Sequence, residues 1–241
     1  MAASLTRRRL VLAGGGLALA GGAAWSALRP PAVPELTARP LGDLVLLDGR
    51  LGGAVDATLV GLGDDARAPA TPPDRATVED AGTAPARGDG PTTVVAFYDV
   101  RCPSCRSSLP AWLAAADAGR LRLLVRDWPI LGAPSVVGAR AALAARLQGA
   151  YWPVFEALMT TSFLPTVALV RDLAARHGLD PVRLEADMAA PEVDATLAAN
   201  AALATGVRGW GTPTYVADGV VVRRGYPIET VLALAARHRS S

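Results

Sequence analysis

The spacing of apolar residues sorts the chain into elements. Thr93-Val94-Val95-Ala96-Phe97-Tyr98 is an unbroken β-prone run, as expected of a strand buried on both faces. Past Asp99-Val100-Arg101-Cys102-Pro103-Ser104-Cys105 the spacing turns helical. Leu109, Trp112 and Leu113 share a face there, and Gly119 stands where that helix should stop. Residues 121–126 are strand-like again, and strand, helix, strand predicts a parallel βαβ unit with a right-handed crossover. Residues 135–205 read as Ala-rich helix with breaks near Gly149, Pro165, Gly178-Leu179-Asp180-Pro181 and Pro191, giving four or five helices. Thr214-Tyr215-Val216-Ala217 and Val220-Val221-Val222-Arg223 flank Asp218-Gly219, the strongest hairpin signal in the chain. A last helix covers about 228–238. The order is βαβ, a helical insert over about 133–206, then ββα, which is an α/β fold class.

The first 26 residues carry another pattern. Thr6-Arg7-Arg8-Arg9-Leu10-Val11 is a basic cluster leading into an uncharged apolar run over 10–24. That run has the length of a signal-peptide core and falls short of the roughly 20 residues of a membrane span. Ala24-Trp25-Ser26 places small residues where a signal peptidase reads. The pattern resembles a bacterial twin-arginine export signal, although the Phe and Lys favoured after the arginines are missing. An ordinary secretory signal, or an uncleaved membrane anchor through 10–26, is the alternative. The expected location is the periplasm. Residues 27–90 form a Pro/Gly-rich, partly ordered lead-in, with Arg29-Pro30-Pro31 and Ala68-Pro69-Ala70-Thr71-Pro72-Pro73 as extended linker. Within it, Leu44-Val45-Leu46-Leu47 and Ala57-Thr58-Leu59-Val60 are candidate short strands around Asp48-Gly49, adding an edge strand or hairpin to a domain over 91–241.

Composition narrows the function. A chain of 241 residues with 51% hydrophobic content builds a real core. Its net charge of +2 gives no reason to expect a nucleic-acid partner. The leader holds three arginines and no acid, so its removal leaves −1. All basic residues other than the two histidines are arginine, for which we find no functional reason. Two cysteines allow one internal disulfide and exclude a four-thiolate metal site.

Cys102 and Cys105 straddle the expected start of a helix. There, unpaired backbone N–H groups and the helix dipole lower the pKa of the first thiol. The second thiol lies one turn on and can close a disulfide, so the spacing suits thiol–disulfide exchange. Pro103 fits the first helical turn. Three other readings compete: half of a zinc site completed by His177 and His238, an inert structural disulfide, or a binding module without redox turnover.

Phe97-Tyr98-Asp99, Cys102-Pro103-Ser104-Cys105 and Leu109-Pro110 together resemble the active-site segment of the DsbA family of thiol–disulfide oxidoreductases. Trp128-Pro129-Ile130-Leu131-Gly132 with Ser135 is similar to the entry into that family's helical insert. Gly209-Trp210-Gly211-Thr212-Pro213-Thr214-Tyr215 resembles its cis-proline loop, with Gly219 and Gly225 in the hairpin that follows. The resemblance implies a thioredoxin fold with an inserted helical domain between the second strand and the cis-Pro hairpin. It implies a redox-active disulfide between Cys102, the nucleophile, and Cys105, the resolving thiol. Pro103 and Ser104 would form the active-site loop, and Thr212 and Pro213 would bind substrate, with Pro213 cis against the Cys102 sulfur.

The implied substrates are exported cysteine-containing proteins, oxidised by a monomer that a membrane or soluble redox partner resets; no metal or organic cofactor is implied. A reductase or isomerase of the same fold, and a non-catalytic chaperone-like module, remain alternatives. Two departures stand out. Ser104 occupies the place where the strongest oxidants of this family have His, which lowers the expected oxidising power. Ala96 occupies the place of the buried acid of thioredoxins, and Asp99 either replaces that acid in part or caps the loop. Trp210 belongs either to the substrate surface or to packing against the insert.

Overall fold

The computed structural model describes residues 36–48, 71–223 and 226–239. The leader over 1–26, Arg29-Pro30-Pro31, the second lead-in run over 57–60 and Gly225 lie outside the described residues. Among the described residues, seven strands form one sheet: β1 (Thr37–Leu41), β2 (Leu44–Asp48), β3 (Ala86–Arg87), β4 (Thr93–Tyr98), β5 (Arg122–Asp127), β6 (Thr214–Ala217) and β7 (Val220–Val222). Their order across the sheet is β1-β2-β7-β6-β4-β5-β3. β4 and β5 run parallel, joined by helix α2 (Pro103–Asp117), while β6 lies antiparallel to both β4 and β7. The β6–β7 turn has Asp218 at φ 46° and Gly219 at φ 82°, the left-handed pair that a two-residue hairpin needs.

β4 shows why an unbroken apolar run was required. Val94 through Tyr98 are all buried, because helices cover both faces. α2 and the last helix, α8 (Ile228–Arg239), cover one face with Trp112, Leu113, Val231 and Leu234. On the other, Val95, Phe97, Leu124, Val216 and Val221 pack with Ala204 and Val207 at the end of α7 (Pro191–Gly206) and with Val78 and Ala84.

The insert between β5 and β6 holds five helices: α3 (Ala133–Leu147), α4 (Tyr151–Thr160), α5 (Val167–Arg176), α6 (Pro181–Asp187) and α7. α3 is its hub. Ala139, Ala141, Ala142, Ala144 and Ala145 are all buried, and their small side chains let helices approach from several sides. The fold is the thioredoxin arrangement with an inserted helical domain that the resemblance implies.

Strands from before residue 91 complete the sheet. Leu44–Asp48 is a strand, and its antiparallel partner is the preceding Thr37–Leu41; its other edge pairs in parallel with β7. At the far edge β3 pairs with β5. Helix α1 (Arg75–Val78) and the turn after it are held by Arg126, which is 1% exposed. Its guanidinium donates to the carbonyl oxygens of Thr77, Val78 and Asp80, to Thr83 Oγ1 and to Asn200 Oδ1. A buried cation is tolerated here because every partner is an oxygen acceptor.

Candidate active site

β4 ends at Tyr98 and the chain turns at once, with Cys102 N–H donating to the Asp99 carbonyl at 3.0 Å. Cys102 then occupies the N-cap of α2, with extended φ −67° and ψ 118°, and Pro103 opens the helix. An N-cap side chain faces the unpaired amides of the first turn. Here that side chain is a thiol, and Cys105 N–H donates to its Sγ at 3.4 Å.

These donors draw the Cys102 thiol down from 9.0 to about 6. The Cys105 thiol is the largest cause; the Thr212 side chain and the backbone amides of Cys105 and Ser104 add to it, against the opposing effect of burial. Cys105 is fully buried, and burial, its hydrogen bond to Cys102 and the Cys102 charge push it far up. The free thiols are therefore unequal: one ionises readily and the other holds its proton. Ser104 contributes to the thiolate through its backbone N–H, while its side chain is exposed.

The opposing wall comes from the far end of the insert. The Thr212–Pro213 peptide bond is cis, and the Thr212 carbonyl accepts a hydrogen bond from Cys102 Sγ at 3.2 Å. With both cysteines as free thiols, the Cys102 thiol therefore occupies the Thr212 carbonyl. Thr214 Oγ1 donates to the Gly211 carbonyl at 2.7 Å and shapes the loop. Trp210 turns toward β7, not toward the insert: its Nε1 donates to the Arg223 carbonyl at 3.0 Å, and the Arg223 guanidinium lies 4.9 Å from its ring centre.

Asp99 is the loop cap. Only 1% exposed, its carboxylate accepts from the N–H groups of Arg101, Ile130 and Leu131 and from Ser135 Oγ, all within 2.9 Å. It ties the cysteine loop to the start of α3. Arg101 donates to the Leu131 carbonyl at 3.0 Å, and Arg106 donates to the carbonyls of Val100 and Thr161. Gly138 lets α3 pass this loop, since a Cβ there would stand 2.6 Å from Val100 Cγ2. Ile130, Leu131, Phe163 and Leu164 are exposed apolar residues on segments tied to the cysteine loop.

Sequence reasoning passed over Asp127, a buried acid at the end of β5 beside Tyr98 in register. Tyr151 donates to its Oδ2 at 3.0 Å, Oδ1 has no partner, and burial raises its pKa to about 7. Its place in the βαβ unit was legible, but nothing in its neighbours signalled how dry the site is. His177 and His238 are exposed on α5's end and on α8, and among the described residues no cluster of metal ligands forms.

A sheet of this topology with a Cys-x-x-Cys pair at a helix start defines the class of thioredoxin-fold thiol–disulfide oxidoreductases. A family model described as Thioredoxin matches residues 82–234, and the chain belongs to that family. A thioredoxin-like oxidoreductase from Silicibacter pomeroyi DSS-3 is 37% identical, with a TM-score of 0.65 over 70% of this chain and 99% of that one. The thiol–disulfide exchange protein alpha-DsbA2 from Wolbachia pipientis (18% identical, TM-score 0.62, 68% and 90% covered) shares the fold. So does BdbD from Bacillus subtilis (20% identical, TM-score 0.59, 68% and 96% covered). A curated relative, the Na(+)/H(+) antiporter NhaA of Herminiimonas arsenicoxydans, is 30% identical over 153 residues, 63% of this chain. The chain spans 24% of that relative's length. Among the described residues, no helix is long and apolar enough to cross a membrane.

Proposed function

We propose that this protein is an exported thiol–disulfide oxidoreductase that oxidises cysteine-containing proteins through Cys102 and Cys105. The observation that carries the reading is the inequality of the two thiols: Cys102 ionises at about 6, while Cys105 is buried and stays protonated. A thiolate favoured at neutral pH stabilises the reduced enzyme, and a stable reduced form makes the disulfide a good oxidant. In the oxidising direction a substrate thiolate attacks Cys102 Sγ in the Cys102–Cys105 disulfide, and Cys105 leaves. A second substrate thiol then attacks the mixed disulfide, Cys102 leaves as thiolate, and the substrate carries the new disulfide. Thr212 and Pro213 hold the substrate strand, with Pro103 and Ser104 shaping the loop.

Export rests on the Arg7-Arg8-Arg9 leader and its apolar run, by the twin-arginine route. The enzyme acts as a monomer in the periplasm and is reset by a membrane or soluble redox partner. The test is trapping in cells with Cys105→Ala. Covalent complexes between Cys102 and exported cysteine-containing proteins are expected; their absence sinks the reading. A Cys102→Ala strain with an unchanged phenotype would favour a binding module instead.

A further inference from the structure

The segments around Cys102 carry charge of one sign. Residues 97–106, 128–135, 161–166 and 207–215 hold three arginines, Arg101, Arg106 and Arg208, and a single acid, Asp99. The chain without its leader carries −1, so this cationic rim is set into a slightly acidic whole. Asp99 does not meet the arginine side chains. Its carboxylate is 1% exposed and is occupied by three backbone N–H groups and the Ser135 hydroxyl.

Two of the arginines belong to the cysteine loop itself. Arg101 precedes Cys102, and the Arg106 backbone N–H donates to the Cys102 carbonyl at 3.0 Å, one helical turn on. Both side chains are half-buried and anchored by carbonyl oxygens. Arg101 Nη1 donates to the Leu131 carbonyl at 3.0 Å, and Asp99 in turn holds the Leu131 N–H. Arg106 Nη1 donates to the Val100 carbonyl at 3.5 Å, and its Nη2 donates to the Thr161 carbonyl. Among the described residues, neither guanidinium meets a carboxylate. Arginines elsewhere on the surface, such as Arg87, Arg120, Arg140 and Arg171, do pair with acids. A carbonyl fixes a guanidinium without cancelling its charge. The planar fork carries more N–H donors than these contacts use, and its geometry matches a carboxylate.

We propose that Arg101 and Arg106 are specificity-determining residues that select substrate segments with acidic side chains beside the reacting cysteine. The inference rests on Cys102 and Cys105 being the exchanging pair, and it names the substrate class they take. An acidic flank gains charge-assisted contacts at the rim and is steered toward it before docking. A basic flank meets like charge. The exchange chemistry is the same for either flank. The Cys102 thiolate attacks one sulfur of a substrate disulfide; that S–S bond breaks, and the other sulfur leaves with the electron pair and takes a proton from water. Cys105 then loses its proton, attacks Cys102 Sγ in the mixed disulfide, and releases the second substrate sulfur as the Cys102–Cys105 bond forms. Substrate is reduced and protein oxidised; oxidation of substrate thiols runs through the same mixed disulfide in reverse.

The experiment uses the reduced full chain and three symmetrical peptide disulfides, identical except for Glu, Gln or Lys on each side of the cysteine. The rate of mixed-disulfide formation is measured in the wild type, in Arg101→Gln with Arg106→Gln, and in Arg101→Lys with Arg106→Lys. At low salt the double Gln variant should lose about fivefold in the ratio of Glu-peptide to Gln-peptide rates, the worth of two partly exposed charge contacts. Its rate on the Lys peptide should rise. The Lys variant keeps both charges and should keep most of the preference. In about 1 M salt, where screening acts within about 3 Å, the wild-type preference should fade. A Glu-to-Gln ratio within about twofold of wild type overturns the proposal, even where all three peptides react more slowly, since the arginines then only support the loop. Should the double Gln variant fail to fold by circular dichroism, Arg101→Gln alone removes the guanidinium with the single anchor and must lower the ratio by about twofold or more. Failure of the exchange reading itself looks different: the wild type would form no mixed disulfide with any of the three peptides.

Discussion

The Cys102 thiol donates to the Thr212 carbonyl at 3.2 Å, across 110 positions of sequence. That bond exists only while Cys102 keeps its proton. Ionisation at about 6 leaves two electron-rich atoms facing each other and releases the carbonyl for the N–H of an extended chain. Ionising the Cys102 thiol and freeing the Thr212 carbonyl are thus one event. A cysteine-free extended peptide should bind the reduced protein more tightly at about pH 7.5 than at about pH 5, by up to roughly tenfold for one added hydrogen bond. Cys102→Ala should bind it equally at both. Calorimetric titration that finds no pH dependence in the wild type would count against this coupling.

The thiolate has its own signature. The folded pKa of about 6 lies below the 9.0 of an unperturbed thiol. The group therefore stabilises the reduced fold above the unfolded pKa, and that gain is lost as pH falls through about 6. Reduced-minus-oxidised stability should rise between these limits and stay flat below them, as urea unfolding of both redox forms will show. The reduction potential should fall between those of a strong oxidant and thioredoxin, roughly −120 and −270 mV. A value below that of thioredoxin contradicts it.

Asp127 gives a slope of opposite sign. Its folded pKa, about 7, is raised above the ordinary 3.8 because burial disfavours the charged form, against the hydrogen bonds from Tyr151 and its own backbone N–H. Its contribution is fully present below the unfolded pKa and is lost as pH rises through about 7. Every tenfold change in proton affinity on folding is worth about 1.4 kcal/mol, so the loss is a few kcal/mol. The oxidised protein, with no thiol to titrate, isolates the effect. Its stability should fall between about pH 4 and pH 8, and Asp127→Asn should flatten that fall. A parallel slope in the variant would mean another group is responsible.

Asp99→Ala leaves three backbone N–H groups and the Ser135 hydroxyl without their acceptor. Unsatisfied buried donors make this costly, about 2–4 kcal/mol. The start of α3 should also loosen from the cysteine loop. Chemical denaturation measures the first effect. Amide exchange at Ile130 and Leu131 measures the second, with faster exchange expected.

Elements with a strong internal rhythm were legible in the sequence. β4, α2, β5, the Asp218-Gly219 hairpin and the five insert helices lie where apolar spacing and Gly/Pro breaks put them. The first strand of the N-terminal hairpin was not legible. Thr37-Ala38-Arg39-Pro40-Leu41 buries only Leu41, so an edge strand containing proline shows no alternation to detect. At the candidate site, the cysteines and the proline loop were visible because their chemistry is local. The bonds of Asp99 to Ile130, Leu131 and Ser135, and of Asp127 to Tyr151, join residues 24 to 36 positions apart, and no spacing rule reports on them. Asp99 had two readings, and its four donors decide for the cap.

The insert also sets a birth order. β6, which carries the loop facing Cys102, lies between β4 and β7, yet it is made only after all five insert helices. A chain emerging from its N-terminus displays both cysteines long before Thr212 exists. Through that interval the thiol pair has its helix amides but no opposite wall. A chain stalled before residue 212 would hold both thiols without the carbonyl that Cys102 meets in the finished fold.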